Sequence, residues 1–212
     1  MNYIFNKPHQ HRLTVAMSGG GDPFVSPLFR PLLISTDGTK FPNLRFEIWT
    51  NGILLTPLMW DKMSGIHQNL GVISVSVDAG CEEDYAKLRP GGNWSLLQKN
   101  LEFIGQKRQL KLFDFFSINM VVQRQNYRGI CDFIRLGKKV GADSCQLSML
   151  VNFGTWSTQQ YEDRCVWNDS HPEHENFLKV MANPLLYDPI VGITNLAIVR
   201  QKASGAVTLS TG

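Results

Sequence analysis

Gly71-Val72-Ile73-Ser74-Val75-Ser76-Val77-Asp78 decides the fold class. It is a β-branched run with a side-chain period of two, so Ile73, Val75 and Val77 point one way and Ser74, Ser76 and Asp78 the other. Similar strands flank it: Leu13–Met17, Leu44–Thr50, Phe113–Val122 and Gln146–Val151. Between them lie helical patterns. Thr56-Pro57 caps and opens one, Glu82–Leu88 is short, and Asn93 caps a long amphipathic stretch carrying Trp94, Leu97, Leu101 and Ile104. Tyr127–Val140 ends at Gly141, and Ser157–Cys165 and Glu173–Met181 follow. Phe24–Ile34 fits one helix face, interrupted by Pro27 and Pro31. Strands and helices alternating at intervals of roughly thirty to forty residues mark βαβ units and a parallel sheet.

The expected architecture is α/β: a partial, open TIM-like β/α barrel of about five parallel strands with helices on its outer face. Residues 1–12 read as an irregular lead-in, 13–200 as the barrel domain and 201–212 as a flexible tail, with fraying from Lys202 onward.

Strands buried on both faces of a parallel sheet are usually continuous apolar runs. These strands alternate instead. Glu47, Trp49 and Asn51 oppose Phe46 and Ile48, Ser117 and Asn119 oppose Ile118, Met120 and Val122, and Gln146, Ser148 and Asn152 oppose Leu147, Met149 and Val151. Burying an unpaired hydroxyl or amide costs roughly 1–3 kcal/mol, so such a row needs water, mutual partners or a polar ligand. An open antiparallel sheet with one wet face gives similar alternation, but the helical crossovers argue against it. The reading adopted is a curved parallel sheet around a polar cavity, with function at the C-terminal strand ends.

One such end is Ser18-Gly19-Gly20-Gly21-Asp22-Pro23, directly after the first strand. Three glycines forgo packing and suit unusual dihedrals or the close approach of another molecule. Asp22 sets a carboxylate at the turn, and Pro23 suits a helix start. The plain alternative is a tight strand-to-helix loop with no ligand.

At 212 residues, 43% hydrophobic and 18% charged, the chain is long and apolar enough for a substantial core. A net charge of +3 does not imply a nucleic-acid partner, and Lys107, Arg108 and Lys111 read as the solvated end of a helix. With no bilayer-length apolar run and no signal-type N-terminal segment, a cytoplasmic location without membrane partners is the expectation. Cys81, Cys131, Cys145 and Cys165 are scattered and lack metal-ligand spacing. His171-Pro172-Glu173-His174 reads as a helix start rather than a metal site, and Trp156 as a core residue rather than a cavity wall.

Taken together these motifs resemble the radical S-adenosylmethionine (radical SAM) superfamily, especially members with auxiliary C-terminal domains of the SPASM or twitch type. Ser18–Pro23 is similar to its Gly-Gly-Glu-Pro motif, with Asp22 one carbon shorter. Trp49-Thr50-Asn51-Gly52 resembles its Thr-Asn-Gly, and Val75–Ala79 its ribose-contacting strand. Tyr85-Ala86-Lys87-Leu88-Arg89-Pro90-Gly91-Gly92 resembles the segment after that strand. The resemblance implies an S-adenosylmethionine site: Ser18, Gly19, Gly20, Gly21 and Asp22 at the ammonium, Ser74 or Ser76 at the ribose and Arg89 at the carboxylate. Asn51 and Asn119 complete that set, and Gln146, Ser148 and Asn152 shape a cavity for a small-molecule or peptide substrate.

The family also implies a 4Fe–4S cluster that generates a 5′-deoxyadenosyl radical for hydrogen abstraction. Its ligands come from a Cys-x3-Cys-x2-Cys loop upstream of the glycine motif, which this sequence does not contain. The expectation is an N-terminally truncated or split core, inactive alone and prone to self-association through an exposed sheet edge. A non-catalytic remnant, and an unrelated α/β module for a nucleotide or sugar, stay open at this point.

Overall fold

The alternation seen in the sequence reappears as alternating burial along 13–17 and 44–50, and only in part farther on, where Ser74 and Ser117 are buried. A computed structural model of the protein describes residues 2–5, 7–18 and 21–209. Its strands are β1 (Leu13–Met17), β2 (Leu44–Thr50), β3 (Leu70–Ser76), β4 (Phe115–Val122), β5 (Ser144–Met149) and β6 (Val191–Ile193). They form one six-stranded sheet in the order β1-β2-β3-β4-β5-β6. β1 runs parallel to β2 with Met17 opposite Ile48, β2 parallel to β3 with Thr50 opposite Val75, and β5 parallel to β6 with Cys145 opposite Val191. Sequential order distinguishes the β/α-barrel pattern from a doubly wound sheet, whose order reverses at a switch point. The chain is therefore α/β with an open parallel sheet, consistent with a partial TIM-like barrel. Among the described residues, no helix is long and apolar enough to cross a membrane.

The described chain forms two compact units. The first comprises 1–76, 93–117 and 140–143. It holds α1 (Asn2–Phe5), α2 (Phe29–Ser35), α3 (Pro57–Lys62) and α5 (Trp94–Gln109). Phe46, Ile48, Ile73 and Val75 are buried on the strands, and Leu97, Leu101 and Ile104 on α5. α5 begins where Asn93 Oδ1 accepts the Leu96 amide at 2.9 Å, and α3 where Thr56 Oγ1 accepts the Met59 amide at 3.3 Å.

The second unit comprises 77–92, 118–139 and 144–212. It holds α4 (Glu82–Leu88), α6 (Ile130–Val140, up to residue 139), α7 (Thr158–Glu162), α8 (His174–Met181) and α9 (Ala197–Leu209). Gly137 lets α6 sit directly on the sheet's apolar side: a Cβ there would lie 2.1 Å from Cys145 Sγ and 3.1 Å from Ile118 Cδ1. Phe133 and Ile134 of α6, Ile118 and Met120 of β4 and Leu147 of β5 are buried in its core.

Several expectations need correction. The expected sheet of about five parallel strands has six among the described residues; the three residues of β6 are too few to show a period in the sequence. The lead-in contains α1, whose Phe5 ring sits 5.7 Å from Phe41 and 6.5 Å from Phe46. The helix read over Phe24–Ile34 is a turn followed by α2; Ser26 Oγ accepts the Leu28 and Phe29 amides, and Pro31 falls in the first turn, where an amide has no intrahelical partner. The stretch read as a fraying tail from Lys202 belongs to α9, anchored by buried Val199 and Ala203 and by Lys202 Nζ on Asp169 at 3.0 Å. The tail's last three positions, 210–212, lie outside the described residues.

Candidate functional site

In the first unit, the segment after β1 is tied to the turn after β2. Asp22 follows Gly21, whose φ of +144° lies in the range that favours glycine and whose absent Cβ would meet nothing within 4 Å. Asp22 Oδ1 accepts the Phe24 amide at 3.0 Å, opening the turn that follows. Its Oδ2 accepts both the Thr50 hydroxyl at 2.5 Å and the Asn51 amide at 2.8 Å. Thr50 Oγ1 in turn accepts the Gly52 amide at 3.0 Å, and Asn51 Oδ1 the Ile53 amide at 2.9 Å. From α5, buried Asn100 Nδ2 donates to the Gly52 and Ile53 carbonyls at 2.8 and 2.9 Å. The turn is thus held by Asp22 on the loop after β1 and by Asn100 on α5. Ser18, Gly21, Asp22, Val25, Ser26 and Phe29 line a cavity of about 270 Å³. Gly19 and Gly20 lie outside the described residues.

This arrangement revises the part assigned to Asp22. Three of the roughly four lone-pair positions of a carboxylate are filled by the protein's own donors, so Asp22 is first a clamp between two loops. Thr50 and Asn100 were missed as site residues. Thr50 carried a signal inside its Thr-Asn-Gly, and an asparagine between Leu97 and Leu101 on an apolar helix stripe was another. Ser74 is buried and accepts the Ser117 hydroxyl at 2.9 Å, whereas Ser76 is half-buried. The polar row therefore partly satisfies itself.

In the second unit, polar contacts converge on Asp78. Its φ of 62° is left-handed, which aspartate tolerates better than most residues. Its amide and that of Val77 both donate to the Asn119 carbonyl, at 3.1 and 3.0 Å. Asp78 Oδ1 accepts the Val121 amide at 2.7 Å, and its carbonyl accepts Asn126 Nδ2 at 2.9 Å. Arg89 Nε and Nη2 both donate to Asp78 Oδ2, at 3.1 and 2.5 Å. Arg89 is thus held within the protein by a carboxylate eleven positions upstream. Gln146 is half-buried and donates to Ser144 Oγ at 2.7 Å; Ser148 is half-buried on the same side of β5. Asn152, expected to shape a cavity, instead organises its own loop: Oδ1 accepts the Gly154, Thr155 and Trp156 amides, and Nδ2 donates to the Trp156 carbonyl. Val151, expected to face inward, lies beyond β5 and is exposed.

The histidines of the 171–174 segment also brace the backbone. His171 Nδ1 accepts the Glu173 amide while its Nε2 meets the Asp163 carbonyl at 3.1 Å, and buried His174 Nδ1 meets the Val166 carbonyl at 3.0 Å. Among the described residues no group of three or more His, Cys, Asp or Glu side chains is placed to hold a metal ion. Burial pushes the Cys145 thiol up to about 12 and raises those of Cys131 and Cys165, the reverse of what a thiolate ligand needs. The cysteines present do not fit an iron–sulfur cluster.

The sequence matches no protein-family profile and no curated protein. Solved structures do match. The structure of TYW1 with a lysine–pyruvate adduct bound is 20% identical over 82% of this chain and 50% of that one, with a TM-score of 0.52. Streptococcus suis SuiB bound to S-adenosylmethionine is 11% identical over 85% of this chain and 36% of that one, also at 0.52. A domain of pyruvate-formate lyase-activating enzyme from Bacteroides vulgatus is 10% identical over 87% and 98%, at 0.50. All three carry the radical SAM fold. This chain has the fold of a radical SAM core. It spans half the length of the TYW1 chain and about a third of the SuiB chain. At such identities the likeness is one of fold, so the chemistry of this chain has to be argued from its own residues.

Proposed function

We propose that the chain binds S-adenosylmethionine at the C-terminal strand ends of its radical SAM core. The observation that carries the reading is the Asp22 clamp: one carboxylate joins the glycine lip to the Thr50-Asn51-Gly52 turn, the two motifs the family resemblance singles out. The open space beside Gly21 and the cavity of about 270 Å³ suit the amino-acid end of such a ligand. In this reading the clamp sets the shape of the lip, and the remaining lone pair of Asp22 meets the ammonium. The exposed Ser18 lines that cavity, and the half-buried Asn51 is tied to Asp22 through its amide. Ser76 is the better ribose donor, since it is half-buried whereas Ser74 is buried against Ser117. Arg89 keeps its Nη1 edge for a carboxylate after pairing with Asp78. Asn119, Gln146 and Ser148 remain proposed as polar lining for a small-molecule or peptide substrate.

In the family, a 4Fe–4S cluster supplies the electron that cleaves S-adenosylmethionine. Because the cysteines present do not fit one, no step is assigned through it and the proposal is one of binding.

Isothermal titration with S-adenosylmethionine tests this. Saturable binding is expected, weakened about tenfold, the equivalent of one charge-assisted hydrogen bond, by both Asp22→Asn and Thr50→Val. If only Asp22→Asn weakens it, Asp22 acts as a direct counter-ion and not as a clamp. No binding to the unmodified chain, with adenosine or a sugar binding instead, overturns the proposal in favour of a different α/β ligand module.

A further inference from the structure

Beside α3 the first unit carries a small cavity of about 180 Å³. Its floor is apolar and buried, with Phe24 and Met59 only 2% and 6% exposed. Its rim is apolar and open to solvent, formed by the exposed Val25, Leu54 and Leu58. The walls are held before anything binds. Asp22 Oδ1 accepts the Phe24 amide at 3.0 Å, and the Arg30 amide donates to the Ser26 carbonyl at 3.1 Å. Thr56, also on the lining, accepts the Met59 amide at 3.3 Å.

The two charged residues on the lining are both cations, Arg30 and Lys62. Both are exposed, and neither side chain has a hydrogen bond or an ion pair with any described residue. The other arginines of this unit are occupied: Arg12 pairs with Asp114, Arg108 with Asp143, and Arg45 donates to the Pro42 and Leu44 carbonyls. The acids nearest in sequence do not answer the two cations. Asp22 is turned to the Thr50 hydroxyl and the Asn51 amide. Asp61 does not line the cavity, because successive helix residues point about 100° apart, and its charge is felt at the His67 ring instead.

Size decides the kind of occupant. A cavity of about 150 Å³ holds a benzene molecule, so this one takes a single side chain of phenylalanine or leucine size. Free small-molecule ligands are usually held in pockets of roughly 300–1,000 Å³. A buried apolar floor ringed by exposed apolar residues is instead the anchor pocket of a docking surface. With two unanswered cations at the same place, the complementary charge is negative.

We infer that this face docks a peptide segment of a partner chain in which one large apolar side chain lies beside carboxylates. The apolar group fills the cavity, and the carboxylates meet Arg30 and Lys62. Val25 also borders the cavity offered to S-adenosylmethionine, but no residue proposed to hold that ligand lines this one. The inference therefore does not depend on that reading.

The test is selection of random heptapeptides displayed on phage, at about 0.15 M salt, by the 212-residue chain and by its Arg30→Glu/Lys62→Glu variant. The unmodified chain is expected to select Phe, Leu or Trp flanked by Asp or Glu. The variant should keep its circular dichroism and urea midpoint, since both positions are exposed, and select Lys or Arg at those flanks. A synthetic consensus peptide, followed by fluorescence anisotropy, should bind about tenfold more weakly to the variant and to Leu58→Asp. It should weaken as much when its own apolar anchor is replaced by alanine. No enrichment, or flanks that stay acidic with the variant, overturns the inference. Equal affinity of the consensus peptide for both chains removes the two cations from it. Complete displacement by phenylacetate at the peptide's own dissociation constant overturns the peptide assignment in favour of a small apolar acid. Self-association abolished by the charge reversal overturns the partner in favour of a second copy of this chain. S-adenosylmethionine affinity should be the same in both chains, so either proposal can fail alone.

Discussion

Glu173 shows how a single side chain organises its surroundings. Burial pushes its carboxyl up, but hydrogen bonds from Arg124, Tyr127 and Arg128 outweigh that and hold it below the ordinary glutamate value. Burial, then the bond to Glu173, pushes the Tyr127 phenol up to about 12. A carboxyl whose folded value is depressed contributes stability that is complete above its unfolded value, near 4.3 for glutamate. That contribution is lost as pH falls through the lower folded value. Glu173→Gln is therefore expected to be less stable than the unmodified chain at neutral pH. The gap should close as pH falls from about 4 downward, read as urea midpoints across a pH series; a gap that persists unchanged at pH 2–3 would contradict this assignment. None of this network was legible in the sequence, where Glu173 figured only as part of a helix start. Asp78 and Arg89 were both picked out, but not as partners. A period of two tells which face a side chain takes, and says nothing of which distant residue it meets there.

At the level of elements, the turn after β2 depends on Gly52. Its φ is +80°, and a Cβ there would lie 2.7 Å from Val75 Cγ1 and 2.9 Å from Leu97 Cδ1. Gly52→Ala combines backbone strain with a clash against a β3 residue and an α5 residue. It should cost about 1–3 kcal/mol, seen as a lower urea midpoint with an unchanged m-value; a loss under a few tenths of a kcal/mol would show that the turn relaxes freely. The strands and capped helices were legible because each carries several concordant local signals. β2 runs from Leu44 to Thr50 and α4 from Glu82 to Leu88 as read, and α5 starts at its Asn93 cap. α1, β6 and α9 were not, because their identity comes from partners distant in the chain. Phe5 gains its ring contacts from Phe41 and Phe46, and β6 its pairing from β5. The polar row was correctly anticipated as a face, but its serines partly pair with each other, and no single-strand pattern reports that.

On the scale of the molecule, the sheet starts with β1, and among the described residues no strand pairs with its outer edge. Thr14 and Ala16 are exposed along it. Such an edge offers unpaired amides and carbonyls to another chain. Sedimentation velocity is expected to show self-association that rises with concentration. Ala16→Lys, a charge placed on the strand, should suppress it; a single monomer boundary at high concentration for both proteins would discount the edge as the cause.

The strand order β1 to β6 follows the sequence without exception. Each strand emerging from the ribosome consequently finds the neighbour it must bond already synthesised, and no segment has to wait for a later one to be inserted beside it. Assembly during translation can thus advance as a ratchet, one crossover at a time.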